Sequence, residues 1–288
     1  DELTTFRSKV VGICNGLSEI MPGLFGQWKK ALVSRTIFTG SLSLFMTSPL
    51  SLEEIKQEYG KDSLGDLDIL VNKRNFKENL LVTGMKLGDF IILGKKKTHM
   101  IHLIVTDGEK NWQMDINSIP FWKGWPLDFY TRLSTTSPLE DMKIGLPGFI
   151  HKYLFMACVK ARAIWCDLEG MQKGEEFNKY TFSVQYGIRD AFYRNERGLL
   201  KPVASNARIY MTDLDHIAEF IFGDKNADMY SFVGLMKTVA TVWKDDKDKI
   251  RRMTKWFIQY VTNDLVLTEE MKAKIINEIF QKEWMKYQ

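Results

Sequence analysis

Asp66 and Asp68 stand two residues apart at the head of an apolar run, Asp66-Leu67-Asp68-Ile69-Leu70-Val71, and a third acid, Asp115, lies within Trp112-Gln113-Met114-Asp115-Ile116. Carboxylates are hard oxygen donors, the ligand type that magnesium and manganese favour. A run that alternates and then becomes wholly apolar reads as a strand entering a core, and residues two apart on a strand share a face. Asp66 and Asp68 can therefore reach the same pair of cations. A carboxylate from a neighbouring strand completes a two-metal set, with ions about 3.5–4 Å apart on the attacking and leaving oxygens of a displacement. Asp115 is the best-placed acid for that role. Asp107, the other acid nearby, belongs to Asp107-Gly108-Glu109-Lys110, a hairpin turn in which an aspartate already has structural work.

Upstream, Thr36-Ile37-Phe38-Thr39 reads as a short strand that ends in a tight turn at Gly40-Ser41. Such a turn exposes backbone N–H groups and a hydroxyl, which suits phosphate oxygens. These features need elements to hold them. Residues 5–20 have helical spacing stopped by Met21-Pro22-Gly23, and a second helix is predicted from about Leu24 to Val33. Ser51-Leu52-Glu53-Glu54 opens a short helix that Gly60 closes. After an apolar run at Phe90–Leu93, Lys95-Lys96-Lys97 reads as a solvated connection, and His99–Thr106 and Asn111–Asn117 as the arms of a hairpin. On a regular strand His99 and His102 face opposite ways and form no metal pair.

Leu146-Pro147-Gly148 precedes a helix predicted from Phe149 to about Leu168. Lys152, near its start, is a candidate cation for a departing phosphate group, against the plainer role of helix surface. Strands are expected at Tyr180–Ile188 and Arg208–Thr212, then helices over Asp213–Phe222, Met229–Trp243, Asp246–Tyr260 and Thr268–Trp284, with Thr212 and Thr268 as N-caps. Arg189 and Arg194 lie among Tyr186, Phe192 and Tyr193, a mixture of guanidinium and aromatic groups that suits single-stranded nucleic acid. The alternative is packed aromatics with solvated arginines. Trp122 and Trp125, among Pro120, Gly124 and Pro126, read as loop anchors.

With 45% hydrophobic and 26% charged residues, the 288-residue chain has the composition of a globular protein of one large or two modest domains. Forty basic against 36 acidic residues leave a net charge of +4, which permits a nucleic-acid partner without demanding one. No membrane span and no secretion signal are expected, since no apolar run approaches the roughly 20 residues a span requires. Cys14, Cys158 and Cys166 form no CxxC pair, which argues against disulfide frameworks and structural zinc and favours a cytoplasmic setting.

The order of strand, Gly-Ser, Asp-x-Asp, hairpin and Asp, over about residues 30–120, resembles the nucleotidyltransferase superfamily of DNA polymerase beta, CCA-adding enzymes and poly(A) polymerases. In that family the link between Gly-Ser and Asp-x-Asp is shorter; here 24 residues, Leu42 to Gly65, intervene, and the helix at Ser51–Tyr59 absorbs the excess. The resemblance implies an α+β protein, with a mixed-sheet catalytic domain over 1–145 and a mainly helical nucleotide- and acceptor-binding domain over 146–288. It implies that Asp66, Asp68 and Asp115 hold two Mg2+ ions, or Mn2+, with Asp115 also placed to assist deprotonation of the acceptor hydroxyl. Gly40 and Ser41 would hold the nucleoside triphosphate, such as ATP, with Lys152 near the pyrophosphate. Arg189 and Arg194 would contact the acceptor, an RNA or DNA 3′ end with RNA favoured. A small-molecule or protein acceptor, or a non-catalytic nucleic-acid-binding module on the same scaffold, are the alternatives.

Overall fold

The computed structural model describes residues 2–26, 37–61, 66–121, 137–139, 144–166, 175–183, 187–203, 211 and 213–287. It is an α+β structure in two compact units, one holding the described residues up to Gly148 and the other those from Phe149 onward. Among the described residues no helix is long and apolar enough to cross a membrane. Trp122, Trp125, Arg208 and Thr212 lie outside them.

The first unit opens with α1 (Glu2–Ile20), whose Leu3, Val10, Ile13, Cys14 and Leu17 recur at helical spacing and form one buried stripe. Turns follow at Met21. They continue through Leu24–Gly26, where the sequence predicted a second helix, because Gly23 and Gly26 adopt φ of 78° and 62°, outside the helical region. The remainder of that predicted helix, 27–33, is outside the described residues. Next come α2 (Gly40–Thr47), α3 (Leu52–Tyr59), β1 (Asp66–Asn72), β2 (Lys86–Leu87), β3 (Phe90–Lys97), β4 (Ile101–Thr106), β5 (Asn111–Ile119) and a small antiparallel pair, β6 (Ser137–Leu139) with β7 (Ile144–Leu146).

The first five strands form one mixed sheet in the order β1-β5-β4-β3-β2. β1 runs parallel to β5, and every other neighbouring pair is antiparallel. One face is core. Leu67, Ile69 and Val71 of β1, Met114 and Ile116 of β5, and Leu103 and Val105 of β4 join Val10, Ile13, Cys14 and Leu17 of α1 in a single buried cluster. Since side chains alternate, Asp66, Asp68, Gln113, Asp115 and His102 project from the other face.

Three further local predictions in this unit need correction. Gly40-Ser41 does not close a simple turn but begins α2, whose Leu42, Ser43, Leu44, Phe45 and Met46 are all buried. Its Ser41-Leu42-Ser43-Leu44 alternation has the period of a strand rather than of a helix, which is why the sequence hid it. Lys95-Lys96-Lys97 is not a connection but the exposed end of β3, and Lys97 pairs with Glu78 at 2.6 Å. β4 starts at Ile101 rather than His99. The predicted helix after Ser51 is present as α3, with a reciprocal Ser51–Glu54 capping box and Gly60 in the left-handed conformation.

Helix α2 is pinned from α1. The Arg7 guanidinium donates to the carbonyls of Phe45 at 2.8 Å and Ser48 at 2.7 Å, at the C-terminal end where unsatisfied carbonyls and the helix dipole favour a cation.

The second unit is helical apart from short hairpins. α4 (Gly148–Ala161) ends seven residues before the predicted Leu168, and β8 (Ile164–Cys166) pairs instead with β9 (Glu176–Asn178). The single strand predicted over Tyr180–Ile188 is two arms, β10 (Tyr180–Ser183) and β11 (Gly187–Asp190), and β12 (Phe192–Arg194) pairs with β13 (Leu200–Pro202). Of the predicted strand over 208–212, Met211 is described and bridges Ile188. Then follow α5 (Leu214–Phe222), α6 (Phe232–Val242), α7 (Lys247–Thr262) and α8 (Glu269–Ala273), which continues through a π-helical segment, Lys274–Phe280, into α9 (Gln281–Met285). Asp213 caps α5 by accepting from the His216 N–H, the role expected of Thr212, while Thr268 caps α8 as expected.

Arg7→Ala should therefore destabilise the first unit by about 2 kcal/mol, the typical worth of hydrogen bonds to a charged donor, and Arg7→Lys should restore only part because it lacks the two-pronged geometry. Urea denaturation followed by tryptophan fluorescence measures both; equal midpoints for wild type and Arg7→Ala would show that α2 does not depend on this clamp.

Candidate metal centre

The parallel register of β1 and β5 sets Asp66 beside Gln113 and Asp68 beside Asp115. The antiparallel register of β4 and β5 sets His102 on the other side of Asp115. A row of three side chains, Asp68, Asp115 and His102, therefore crosses three strands on one face. Asp66, Asp68 and Asp115 each offer a carboxylate oxygen, and these oxygens lie within 4.8 Å of one another. They are close enough to hold a metal ion.

The surroundings make that cluster electrostatically unsatisfied. Burial, and then the charges of Asp66 and Asp115, push the Asp68 carboxyl up to about 7. Asp66 is raised by burial and by Asp115, with Lys61 and its own backbone partly offsetting the shift. Among the described residues neither Asp66 nor Asp68 forms an ion pair with a lysine or arginine. Asp115 is 8% exposed, and its Oδ1 accepts from His102 Nδ1 at 2.8 Å and from Gln113 Nε2 at 3.0 Å. Three hard donors, mutually repelling and short of positive charge, fit a hard divalent cation.

Gly40 and Ser41 arrive at the same place. Leu70 N donates to Ile37 O at 2.8 Å and Thr39 N to Asp68 O at 3.0 Å, so the segment before α2 lies along β1 as an extra antiparallel stretch. Gly40 has φ of 58°, and a Cβ added there would collide with Asp68 Oδ2. Only glycine allows this approach. Thr39 holds the N-cap position, yet its side chain makes no capping bond. The first turn of α2 thus presents backbone N–H groups that no side-chain cap satisfies.

The other sequence candidates have different surroundings. Asp107 is a turn residue: its Oδ1 accepts from the N–H groups of Glu109 and Lys110, Lys9 bonds its Oδ2 at 2.6 Å, and these contacts hold its carboxyl down at about 2. Lys152, Arg189 and Arg194 belong to the second unit. Lys152 is half-buried on α4, and burial lowers its ammonium pKa while Asp264 opposes the shift. Arg189 is half-buried on β11 opposite Thr181. Arg194 is exposed, and its guanidinium donates to the Gly198 carbonyl across the turn that joins β12 to β13. A cavity of about 520 Å³ lined by Phe6, Lys9, Phe45, Lys110 and Trp112, among others, contains none of the clustered acids.

His102 and Gln113 were not predicted as site residues. The signal for His102 was present: folding the chain about Asp107–Lys110 puts Thr106 opposite Asn111 and, four residues further along each arm, His102 opposite Asp115.

The raised Asp68 carboxyl has a consequence for stability in the absence of metal. A carboxyl raised on folding contributes stability that is fully present below about pH 4 and is lost as pH rises through about 7. Above about pH 7.5 in EDTA, Asp68→Asn should melt at least a few degrees higher than wild type, and the difference should vanish toward about pH 4. Equal melting temperatures at the higher pH would mean that Asp68 carries no such burden.

No family model, no curated protein and no solved structure matches this chain.

Proposed function

We propose that the chain is a metal-dependent nucleotidyltransferase, transferring a nucleoside monophosphate from a nucleoside triphosphate to an acceptor hydroxyl. The observation that carries this reading is the meeting of two anion-chemistry features at Asp68. On one side are the carboxylates of Asp66 and Asp115, and on the other the uncapped start of α2 at Gly40-Ser41. Clustered acids alone would suit many cation sites. Acids that adjoin unsatisfied N–H groups suit a cation carrying phosphate.

In this reaction the acceptor oxygen attacks the α-phosphorus, the bond to the bridging oxygen breaks, pyrophosphate leaves, and the acceptor proton passes to solvent or a nearby base. Mg2+ or Mn2+, held by Asp66, Asp68 and Asp115, would lower the acceptor hydroxyl's pKa and neutralise phosphate charge. The chain's own contribution is placement. The first turn of α2 orients the triphosphate through N–H groups and the Ser41 hydroxyl, and the β1–β5 register fixes the acids at the point where charge shifts. The acceptor in this proposal is a nucleic acid, with RNA favoured, contacted through Arg189 and Arg194.

The direct test is incubation of the full chain with each labelled nucleoside triphosphate, Mg2+ or Mn2+, and pools of RNA, DNA and protein. One pool should take label, and Asp66→Asn, Asp68→Asn and Asp115→Asn should each reduce labelling by about 100-fold or more while remaining folded. Labelling that persists in all three variants, or none in any pool with wild type, counts against the reaction. Ser41→Ala should raise the apparent KM for the triphosphate more than it lowers kcat, since the hydroxyl holds ground state and transition state alike. An unchanged KM would make the start of α2 purely structural.

A further inference from the structure

We propose that His102 is the positioning residue of this centre: its ring fixes Asp115 through Oδ1, so that the carboxylate offers Oδ2 to the cation shared with Asp66 and Asp68. The proposal rests on the metal-centre reading above and deepens it.

Three observations carry it. The first is that both ring nitrogens are engaged, Nδ1 with Asp115 Oδ1 and Nε2 with Thr98 Oγ1, each at 2.8 Å. An ionised carboxylate only accepts, so Nδ1 carries the hydrogen; in the neutral ring Nε2 then accepts from the Thr98 hydroxyl. Held at both ends, the imidazole has one orientation. The second is that Gln113 donates to the same oxygen at 3.0 Å, so that among the described residues both donors to Asp115 converge on Oδ1 and neither uses Oδ2. The third is the position of this contact. Asp115 lies beside Asp68 in the sheet, and repulsion between the two carboxylates favours turning Asp115 away. Donors fixed on the far oxygen oppose that rotation. With side chains only 24% and 11% exposed, the His102–Asp115 contact is shielded from competing water.

The arrangement is built into the chain. His102 and Asp115 are cross-strand partners in the β4–β5 hairpin, and Thr98 lies in the turn between β3 and β4, whose Thr98 N–H bonds the Met100 carbonyl at 2.9 Å. Hydrogen-bond partners behind metal ligands typically contribute 10–100-fold to metal affinity, by orienting the donor atom before the ion arrives.

The test uses Mn2+ alone, titrated into the full chain with free ion read by electron paramagnetic resonance, for wild type, Asp115→Asn, His102→Ala and His102→Asn. Melting temperatures in EDTA verify that each variant is folded. His102→Ala should bind Mn2+ about 10–100-fold more weakly than wild type. His102→Asn should stay within about threefold, because its amide nitrogen can occupy the place of Nδ1 and keep the donor to Oδ1. Wild-type affinity in His102→Ala overturns the proposal, as does an affinity in His102→Asn as poor as in His102→Ala. If Asp115→Asn binds Mn2+ as wild type does, the carboxylate centre itself is wrong and His102 has nothing to position. If the affinities follow the expected order while no acceptor pool takes label, His102 keeps its role and only the transfer chemistry falls.

Discussion

Parallel pairing of β1 with β5 is the constraint on which the acidic centre depends. Asp66 and Asp68 come from one strand and Asp115 from a strand more than forty residues later, and only this register makes Asp68 and Asp115 neighbours. A slip of one residue would send Asp115 into the core and bring Met114 or Ile116 to the open face. The register is enforced from behind. Leu67, Ile69, Met114 and Ile116 all have at most 1% exposure on the core face, and any slip would exchange them for polar groups. Hydrophobic burial on one side of the sheet thereby holds like charges together on the other, against their repulsion and their loss of hydration.

Much of this was legible in the sequence because the informative segments obey short-range rules. Alternation placed Asp66 and Asp68 on one face, Asp-Gly marked the turn at 107–110, and Ser51 with Glu54 marked the start of α3. What failed did so for identifiable reasons. From Ser41 to Leu44 polar and apolar residues alternate and Phe45-Met46 follow, so α2 could not be told from a strand. The three lysines at 95–97 looked like a loop because edge positions of a sheet tolerate charge as readily as connections do. Ile164-Trp165-Cys166 continues the apolar character of α4, and only its distant partner, Glu176–Asn178, draws it into a strand. The adjacency of β1 and β5 could not be read locally at all, since it joins segments with the three other strands of the sheet between them. His102 is a different case: its position follows from the turn, but judging it only against His99 obscured its pairing with Asp115.

The two ends of α2 are treated oppositely. Its C-terminal carbonyls meet the Arg7 guanidinium, while its N-terminal N–H groups have no side-chain cap and lie against Asp68. With its negative end neutralised and its positive end left open, the helix adds a fixed partial charge to an otherwise acidic site. A cation bound by the acids and an anion bound by the helix would each strengthen the other. This coupling is the physical core of the nucleotidyltransferase proposal, and it would be absent if the same acids sat on a sheet without α2.

The ladder bonds from Leu70 N to Ile37 O and from Thr39 N to Asp68 O tie both flanks of the long segment between Gly-Ser and Asp-x-Asp directly to each other. The ends of the intervening chain are thereby fixed by the sheet, and beyond the packed α2 extra length costs little in closure entropy, since doubling a flexible loop adds only about 0.6 kcal/mol. Its length is therefore nearly decoupled from the geometry it spans. Evolution can lengthen, shorten or decorate this excursion, as α3 with its self-contained capping box illustrates, without asking the acids to move. A protein engineer has the same freedom: the exposed rim of α3 is a permissive place to graft a reporter or an affinity module beside the centre.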